Sequence, residues 1–370
     1  MKISYFFDEV QDFRELGRCK HGLSDILGLI LVGSLADCND FSEIVDYGLD
    51  NIKALRQKLG FQFLNGIPSE DTLERVMRYI NPKELEACYQ ACYKALSLNG
   101  KHVCIDGKEL RGTIRSGKKK AEIQMVNLWV DDFGLSFGQE QVAKKSNEIT
   151  AIPKLLEGVD CKGSIITIDA IACQKEIIEK IVSKKADYVI ALKGNQKTLC
   201  EQVKAEFDRY GTHANSTTSI NKEHGRGEHR KVAVIDDLRF IDDLNQWEGV
   251  ESVIKLDSIR YLPNKKEEQS AVFYLSSIKH LTPELAAKYI RNHWRIENRL
   301  HRQATLWQLD FTFKEDDSKV RKDLAPANLH IVRKWSINIL KKDSSNISMK
   351  RKRKKAARKI DYLIQILTAD

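Results

Sequence analysis

Three acidic residues carry the chemistry this chain is best equipped to do: Asp106, Asp169 and Glu297. Asp106 closes the apolar run Val103-Cys104-Ile105, and Asp169 closes Ile165-Ile166-Thr167-Ile168. Glu297 lies in Trp294-Arg295-Ile296-Glu297-Asn298, inside a long helical pattern. Two acids at strand ends and a third on a later helix can aim their oxygens at one spot. Such a set suits hard, oxygen-liganded Mg²⁺ or Mn²⁺, not zinc. Carboxylates gathered without cations repel one another, so the site is stable only when neutralised. Two ions held there would activate a water or a 3′-hydroxyl against a phosphodiester.

The elements that must position these acids can be read from the patterning. Residues 1–98 read as a helical domain, with a strongly apolar helix opening at Leu23 and a short helix from Phe41 ended by Gly48. Capped starts lie at 68–73 and 81–85. Such a domain suits DNA recognition; a packing or oligomerisation bundle is the alternative. From residue 102 the pattern becomes strand, hairpin, helix, strand, helix, strand, with the hairpin turning at Asp131-Asp132-Phe133-Gly134 and Pro153 bending or breaking the first helix. This is the order of an α/β, RNase H-like core, expected over 99–204 and 281–345. Between these parts, 205–280 is a β-rich insertion. It begins with the polar, loop-like stretch 211–224, and its strands lie near 232–235, 252–256 and 271–275. Thr282-Pro283 then caps the helix that carries Glu297, whose buried stripe runs Leu285, Tyr289, His293, Ile296, Leu300, Ala304, Trp307. Residues 346–370 form a basic tail.

The formal net charge of +9 favours a polyanionic partner. Candidate DNA contacts are Lys108 and Arg111 near the first acid, Lys193, Asn195 and Gln196 after the fifth core strand, and Arg226 in the insertion. Arg291 and Trp294 on the last helix join them, Trp294 either stacking on a flipped base or packing in the core. In the tail, Lys350, Arg351, Lys352 and Arg353 would touch phosphates or else form a solvated face. No Gly-Lys-Ser/Thr phosphate loop is present, so an ATPase is not expected. No membrane span or signal peptide is evident, and the eight cysteines show no paired framework. A cytoplasmic, reduced protein is expected.

Several motifs together resemble the H-repeat-associated insertion-sequence transposases of the DDE superfamily. They are Lys20-His21-Gly22-Leu23-Ser24-Asp25-Ile26-Leu27, Asp106-Gly107-Lys108-Glu109-Leu110-Arg111, Lys145 to Pro153, Thr167-Ile168-Asp169-Ala170 with Cys173-Gln174, Lys193-Gly194-Asn195-Gln196, His224-Gly225-Arg226, and Ile290 to Trp294 with Glu297-Asn298. The resemblance spans nearly the whole chain. It implies that Asp106, Asp169 and Glu297 are the catalytic, metal-holding acids. It also implies end-specific DNA cleavage followed by strand transfer, with two Mg²⁺ or Mn²⁺ ions. The expected partner is double-stranded DNA, as the element's terminal inverted repeats and as target. A homodimer is expected in the active complex.

The chain departs from the family's pattern at Ala172, at Gln124 and, above all, at Arg302-Gln303-Ala304-Thr305-Leu306, five residues placed between His301 and Trp307. Five extra helical residues rotate the downstream chain by about 140° and lengthen a helix by about 7.5 Å. An uninterrupted helix is expected there, carrying Asp310, Glu315 and Asp316 to a different face than in relatives. Two other readings stay open: a decayed or repurposed non-catalytic DNA-binding derivative, and an RNase H-like nuclease without strand transfer.

Overall fold

Leu23–Leu35 is apolar on every side, and a helix with no polar face must be surrounded by protein. The computed structural model describes residues 3–368 apart from 8–9, 94, 115–120, 122, 144–145, 224–225, 262–266 and 299–304; at 4, 221–223, 226, 295–298 and 305–307 it describes the backbone alone. That apolar helix, α1, is buried at every position but Ser24. Asp25 is buried with it and accepts from the amides of Gln62 and Phe63.

The next helix, α2 (Phe41–Leu59), does not stop at Gly48 as its sequence suggested. Gly48 sits mid-helix because a Cβ there would press to 3.1 Å from Ile67 and 3.2 Å from Leu29. The true C-cap is Gly60, at φ 73°. Helices α3 (Glu70–Tyr79) and α4 (Pro82–Ala91) stand where their caps predicted them, with Asn81 accepting from the amide of Lys83.

Strands β1 (His102–Glu109), β2 (Gln124–Val130) and β3 (Leu135–Gln141) form an antiparallel meander. Then come α5 (Glu148–Glu157), which remains one helix through Pro153, β4 (Ile165–Ile168), α6 (Lys175–Ser183) and β5 (Asp187–Leu192). The strands β1, β4 and β5 run parallel to one another.

Helix α7 (Lys197–Tyr210) crosses the expected boundary at 204/205. The polar stretch 211–224 is not mainly loop: Asn215–Glu223 is strand β6, followed by β7 (Arg226–Ile235), β8 (Ser252–Tyr261) and β9 (Glu267–Ser276). Its polarity fits an edge strand. β9 pairs antiparallel with β5, so the insertion widens the core sheet instead of forming a separate layer. Among the described residues the sheet order is β3-β2-β1-β4-β5-β9-β8-β7-β6.

The chain ends in α8 (Pro283–Asn298), α9 (Thr305–Phe311), α10 (Ala325–Lys341), α11 (Met349–Arg358) and α12 (Ile360–Thr368). Helix α10 is buried along almost its whole length and packs on α1, α3 and α4. Its Trp335 meets Phe6, Phe7 and Tyr89. The N-terminal helices and helices α11 and α12 therefore share one core with the sheet, and the described part of the basic tail is largely these two packed helices. No described helix is long and apolar enough to cross a membrane.

Candidate functional site

The parallel ladder of β1 and β4 ends at the pair Ile105–Ile168, so the next residues, Asp106 within β1 and Asp169 just past β4, follow side by side where the ladder opens. Both are partly exposed. β4 ends there, while β1 continues to Glu109 with β2 alone, so a gap opens beyond the pair. Ligands of open α/β sheets characteristically bind outside the carboxyl ends of strands. Asp169 turns the chain into a short 3₁₀ helix, Ala170–Ala172, and accepts from the amide of Ala170 at 2.5 Å.

Helix α8 is set over the same face by a buried polar chain. Thr167 Oγ1 lies 2.9 Å from His102 Nε2 and 3.0 Å from His293 Nδ1. Asn292 donates to Asp131 at 2.5 Å at the other end of β1. His293 is buried, and burial drives its pKa from 6.5 down to about 4, so the ring is neutral at pH 7. Glu297 comes one turn later on the same helix, about 6 Å further along the axis. Its side chain lies outside the described residues. The sequence pattern marked His293 only as part of a buried stripe. Its role as the anchor of α8 depends on a partner 126 residues away.

The other expected contact residues divide sharply. Asn195 and Gln196 donate their amides to the carbonyls of Ala170 and Cys173, both at 2.9 Å. They tie down the loop that carries Asp169, and those donors are not free for DNA. Lys193 Nζ stands 3.4 Å from Asp169 and is half exposed. Trp294 packs against the insertion and donates from Nε1 to Tyr274 at 3.1 Å, which favours its core reading. Arg291 and Trp294 line a groove of about 580 Å³ between α8 and strands β6 to β9, together with Arg230, Arg260 and Lys288. Arg111 is exposed. The side chain of Arg226, and His224-Gly225, lie outside the described residues.

Lys108 is a correction. It is almost fully buried and its Nζ donates to both oxygens of Asp310, at 2.8 and 2.7 Å, with Glu315 at 3.9 Å. Glu315 in turn lies 3.0 Å from His330 Nδ1 and accepts from Arg333 at 3.3 Å. His330 Nε2 lies 3.1 Å from Asn127, the cross-strand partner of Asp106. Burial alone would raise the pKa of Glu315; His330, Lys108 and Arg333 outweigh it and hold the carboxyl well below the ordinary range. Asp310 and Glu315 thus both reach β1 and its surroundings. The helix expected to be continuous through 302–306 falls largely outside the described residues.

The tail needs the same revision. Arg353 is wholly buried: it donates to the carbonyls of Ser34, Cys38 and Thr312 and to Asn39, 3.2 Å from Asp37. Lys352 is buried against the carbonyls of Leu340 and Asp343. Only Lys350 and Arg351 of the four face outward. The period of α11 decides this, because residues 352, 353 and 356 share its inner face.

The oxygen-only set of Asp106 and Asp169 fits a hard divalent cation. Among the described residues, no three His, Cys, Asp or Glu side chains gather closely enough to hold a metal ion alone, and the Glu297 side chain is not among them. Beside Asp106 the backbone of Gly107 is bare: a Cβ there would collide with Oε1, Cδ and Oε2 of Glu148, the last at 2.8 Å. The missing Cβ leaves room for the Glu148 carboxylate on the face of β1 opposite Asp106.

Comparison with known proteins gives the family. Residues 98–325 match the family described as transposase DDE domain, and residues 4–92 match the family described as DDE_Tnp_1-associated. "Putative transposase YncI" of Escherichia coli O157:H7 is 36% identical, over 98% of this chain and 94% of the relative. "H repeat-associated putative transposase YhhI" of Escherichia coli K12 is 35% identical, over 99% and 97%. "Inactive transposase YbfQ" of the same strain is 35% identical over 66 residues, 18% of this chain and 76% of that protein. On motifs, fold and near full-length similarity alike, the chain belongs to the DDE transposase family, among its H-repeat-associated members.

Proposed function

We propose that this chain cuts DNA at the ends of its own insertion element and joins the freed 3′-hydroxyl to target DNA, using an RNase H-like core. The observation that carries the reading is the parallel pairing of Ile105 with Ile168, after which Asp106 and Asp169 follow at the opening of the β1–β4 ladder. Asp106, Asp169 and Glu297 are the residues that would hold divalent cations. When bound, Mg²⁺ or Mn²⁺ supplies charge neutralisation and lowers the pKa of a water or hydroxyl nucleophile.

The protein's own contribution is placement. Asp106 is held by strand pairing, with the group of buried Lys108 and Glu315 and half-buried Asp310 behind it. Asp169 is held by its bond to Ala170 and by the Asn195 and Gln196 amides that brace its loop. Glu297 is held through the neutral His293, which clamps α8 to Thr167. Lys193 neutralises Asp169 from solvent and would yield to a phosphate or a cation. DNA contacts fall to Arg111, Lys193, Arg291, Lys350 and Arg351, with Arg226 a further candidate. The ion pair between Lys108 and Asp310 supports an intact site over a decayed one, because residues beyond the five-residue insertion still engage β1.

The test is a labelled duplex carrying the terminal repeats that flank the gene, incubated with the protein and Mg²⁺ or Mn²⁺. Nicked ends together with joined products support a transposase. Nicks without joining favour a nuclease. Binding without nicks favours a non-catalytic derivative.

A further inference from the structure

His330, on α10, is wholly buried. Its Nδ1 lies 3.0 Å from both oxygens of Glu315, so Nδ1 carries a proton and donates it to that carboxylate. The two acids of this cluster, Asp310 and Glu315, are already matched by two cations. Lys108 holds Asp310, and Arg333 lies 3.3 Å from Glu315. A charge on the His330 ring would be a third cation without an acid of its own, in the protein interior. Burial pushes its pKa below the ordinary value, against the pull of Glu315, which agrees with the charge count. The ring is therefore neutral, and Nε2 carries a lone pair.

A lone pair can meet only a donor. Asn127 is 4% exposed and turns its Oδ1 toward Nε2, 3.1 Å away, while its Nδ2 has no hydrogen-bond partner among the described residues. An acceptor facing an acceptor and an orphaned donor thus occur on one buried amide. Turning that amide over about its Cβ–Cγ bond removes both faults, because Nδ2 then donates to Nε2. The atom left over is a carbonyl oxygen, which tolerates burial without a partner better than an N–H does. Asn127 is directly opposite Asp106 in the β1–β2 ladder, so the two side chains share a face of the sheet with Cβ atoms about 5 Å apart. β1 lies between β2 and β4, so Asn127 and Asp169 flank Asp106 from opposite sides. An Nδ2 turned to Asp106 would draw its carboxylate toward β2, away from Asp169. An oxygen in that place repels the carboxylate instead.

We infer that His330, donating to Glu315 and accepting from Asn127, holds the Asn127 amide with its oxygen toward Asp106, and that His330 and Asn127 are positioning residues that turn the Asp106 carboxylate toward Asp169. The inference rests on the proposed cleavage reading of Asp106 and Asp169. Neither residue touches DNA: both act through the direction in which one acid points.

Nitrogen-15 NMR of the histidine-labelled, full-length protein in chelator at pH 7 reads the ring directly, with His330→Gln identifying its signals. The expected ring is neutral, protonated at Nδ1 and bare at Nε2. An imidazolium, or a proton on Nε2, would keep the Asn127 oxygen on the ring and overturn the inference. The consequence is read by single-turnover nicking of the element-end duplex in Mg²⁺, beside duplex affinity and thermal unfolding. His330→Gln keeps an oxygen near the place of Nε2 and should nick close to the wild-type rate. His330→Met and Asn127→Leu, similar in volume but unable to fix the amide, should nick more slowly by about tenfold or more at unchanged duplex affinity. If both melt lower yet nick like wild type, the cluster is only structural and the positioning claim fails. If wild type itself binds the duplex but does not nick it, the proposed function fails and the positioning claim with it, while the NMR signal still decides which way the amide faces.

Discussion

Replacing Arg353 separates a structural tail from a DNA-binding one. The guanidinium is fully buried and donates to three backbone carbonyls, of Ser34, Cys38 and Thr312, and to Asn39. It also lies 4.0 Å above the ring of Phe313. It thereby fastens α11 to the α1–α2 turn and to the segment after α9. Arg353→Ala strands those carbonyls and leaves a cavity, at a cost of about 3–5 kcal/mol, the range for removing one partner of a buried charged set. With an unfolding entropy of about 2.1 cal/mol/K per residue over 370 residues, this lowers the melting temperature by about 4–6 °C. The assay is thermal unfolding by circular dichroism, paired with DNA binding at several salt concentrations. Neutralising the outward Lys350 and Arg351 should leave the melting temperature unchanged and flatten the log-log salt dependence by about 0.9 per lost phosphate contact. An Arg353→Ala protein that melts like wild type but binds DNA less steeply with salt would refute this assignment.

Lys108→Met should destabilise by about 2 kcal/mol, a figure reduced because the Asp310 side chain is 35% exposed; urea unfolding checks it, and adding Asp310→Asn should recover part of the loss. Asn195→Ala should slow cleavage without changing DNA affinity, since its amide braces the Asp169 loop; a loss of affinity at unchanged cleavage rate would return it to the DNA interface. His293 also predicts a pH dependence. Its folded pKa, about 4, lies below the unfolded 6.5, so the unfolded chain binds more protons between these values. Stability is therefore full above about pH 6.5 and falls as pH drops toward 4, by up to about 3 kcal/mol. His293→Gln should flatten that slope in pH-dependent unfolding.

The strands that carry Asp106 and precede Asp169 were legible because each contains an apolar run short enough to be a core strand, and the switch from helical to alternating patterning near residue 102 marks the sheet. The caps at Ser69 and Asn81 were equally local signals. What escaped depends on contacts distant in sequence. Gly48 looked like a helix stop, yet packs against Ile67 and Leu29. The polar run of β6 carries no inward face to betray a strand, and only pairing with β7 makes it one. Lys108, Asn195, Gln196 and Arg353 are polar residues in polar motifs, and nothing local told buried bracing from surface contact. For α11 a signal was available: at helical period, positions 352, 353 and 356 fall together, so one side of the basic run had to face inward if it packed.

The most direct test of the metal-site reading replaces each proposed acid by cysteine and measures cleavage of the element-end duplex in Mg²⁺ and in Mn²⁺. Thiolate is a poor ligand for Mg²⁺ and a better one for the softer Mn²⁺. Asp106→Cys, Asp169→Cys and Glu297→Cys should each bind the duplex like wild type, fail to cut in Mg²⁺, and regain part of their activity in Mn²⁺. Wild-type cleavage in Mg²⁺ by any of the three would remove that residue from the site, and full cleavage by all three would overturn the assignment of the three acids altogether.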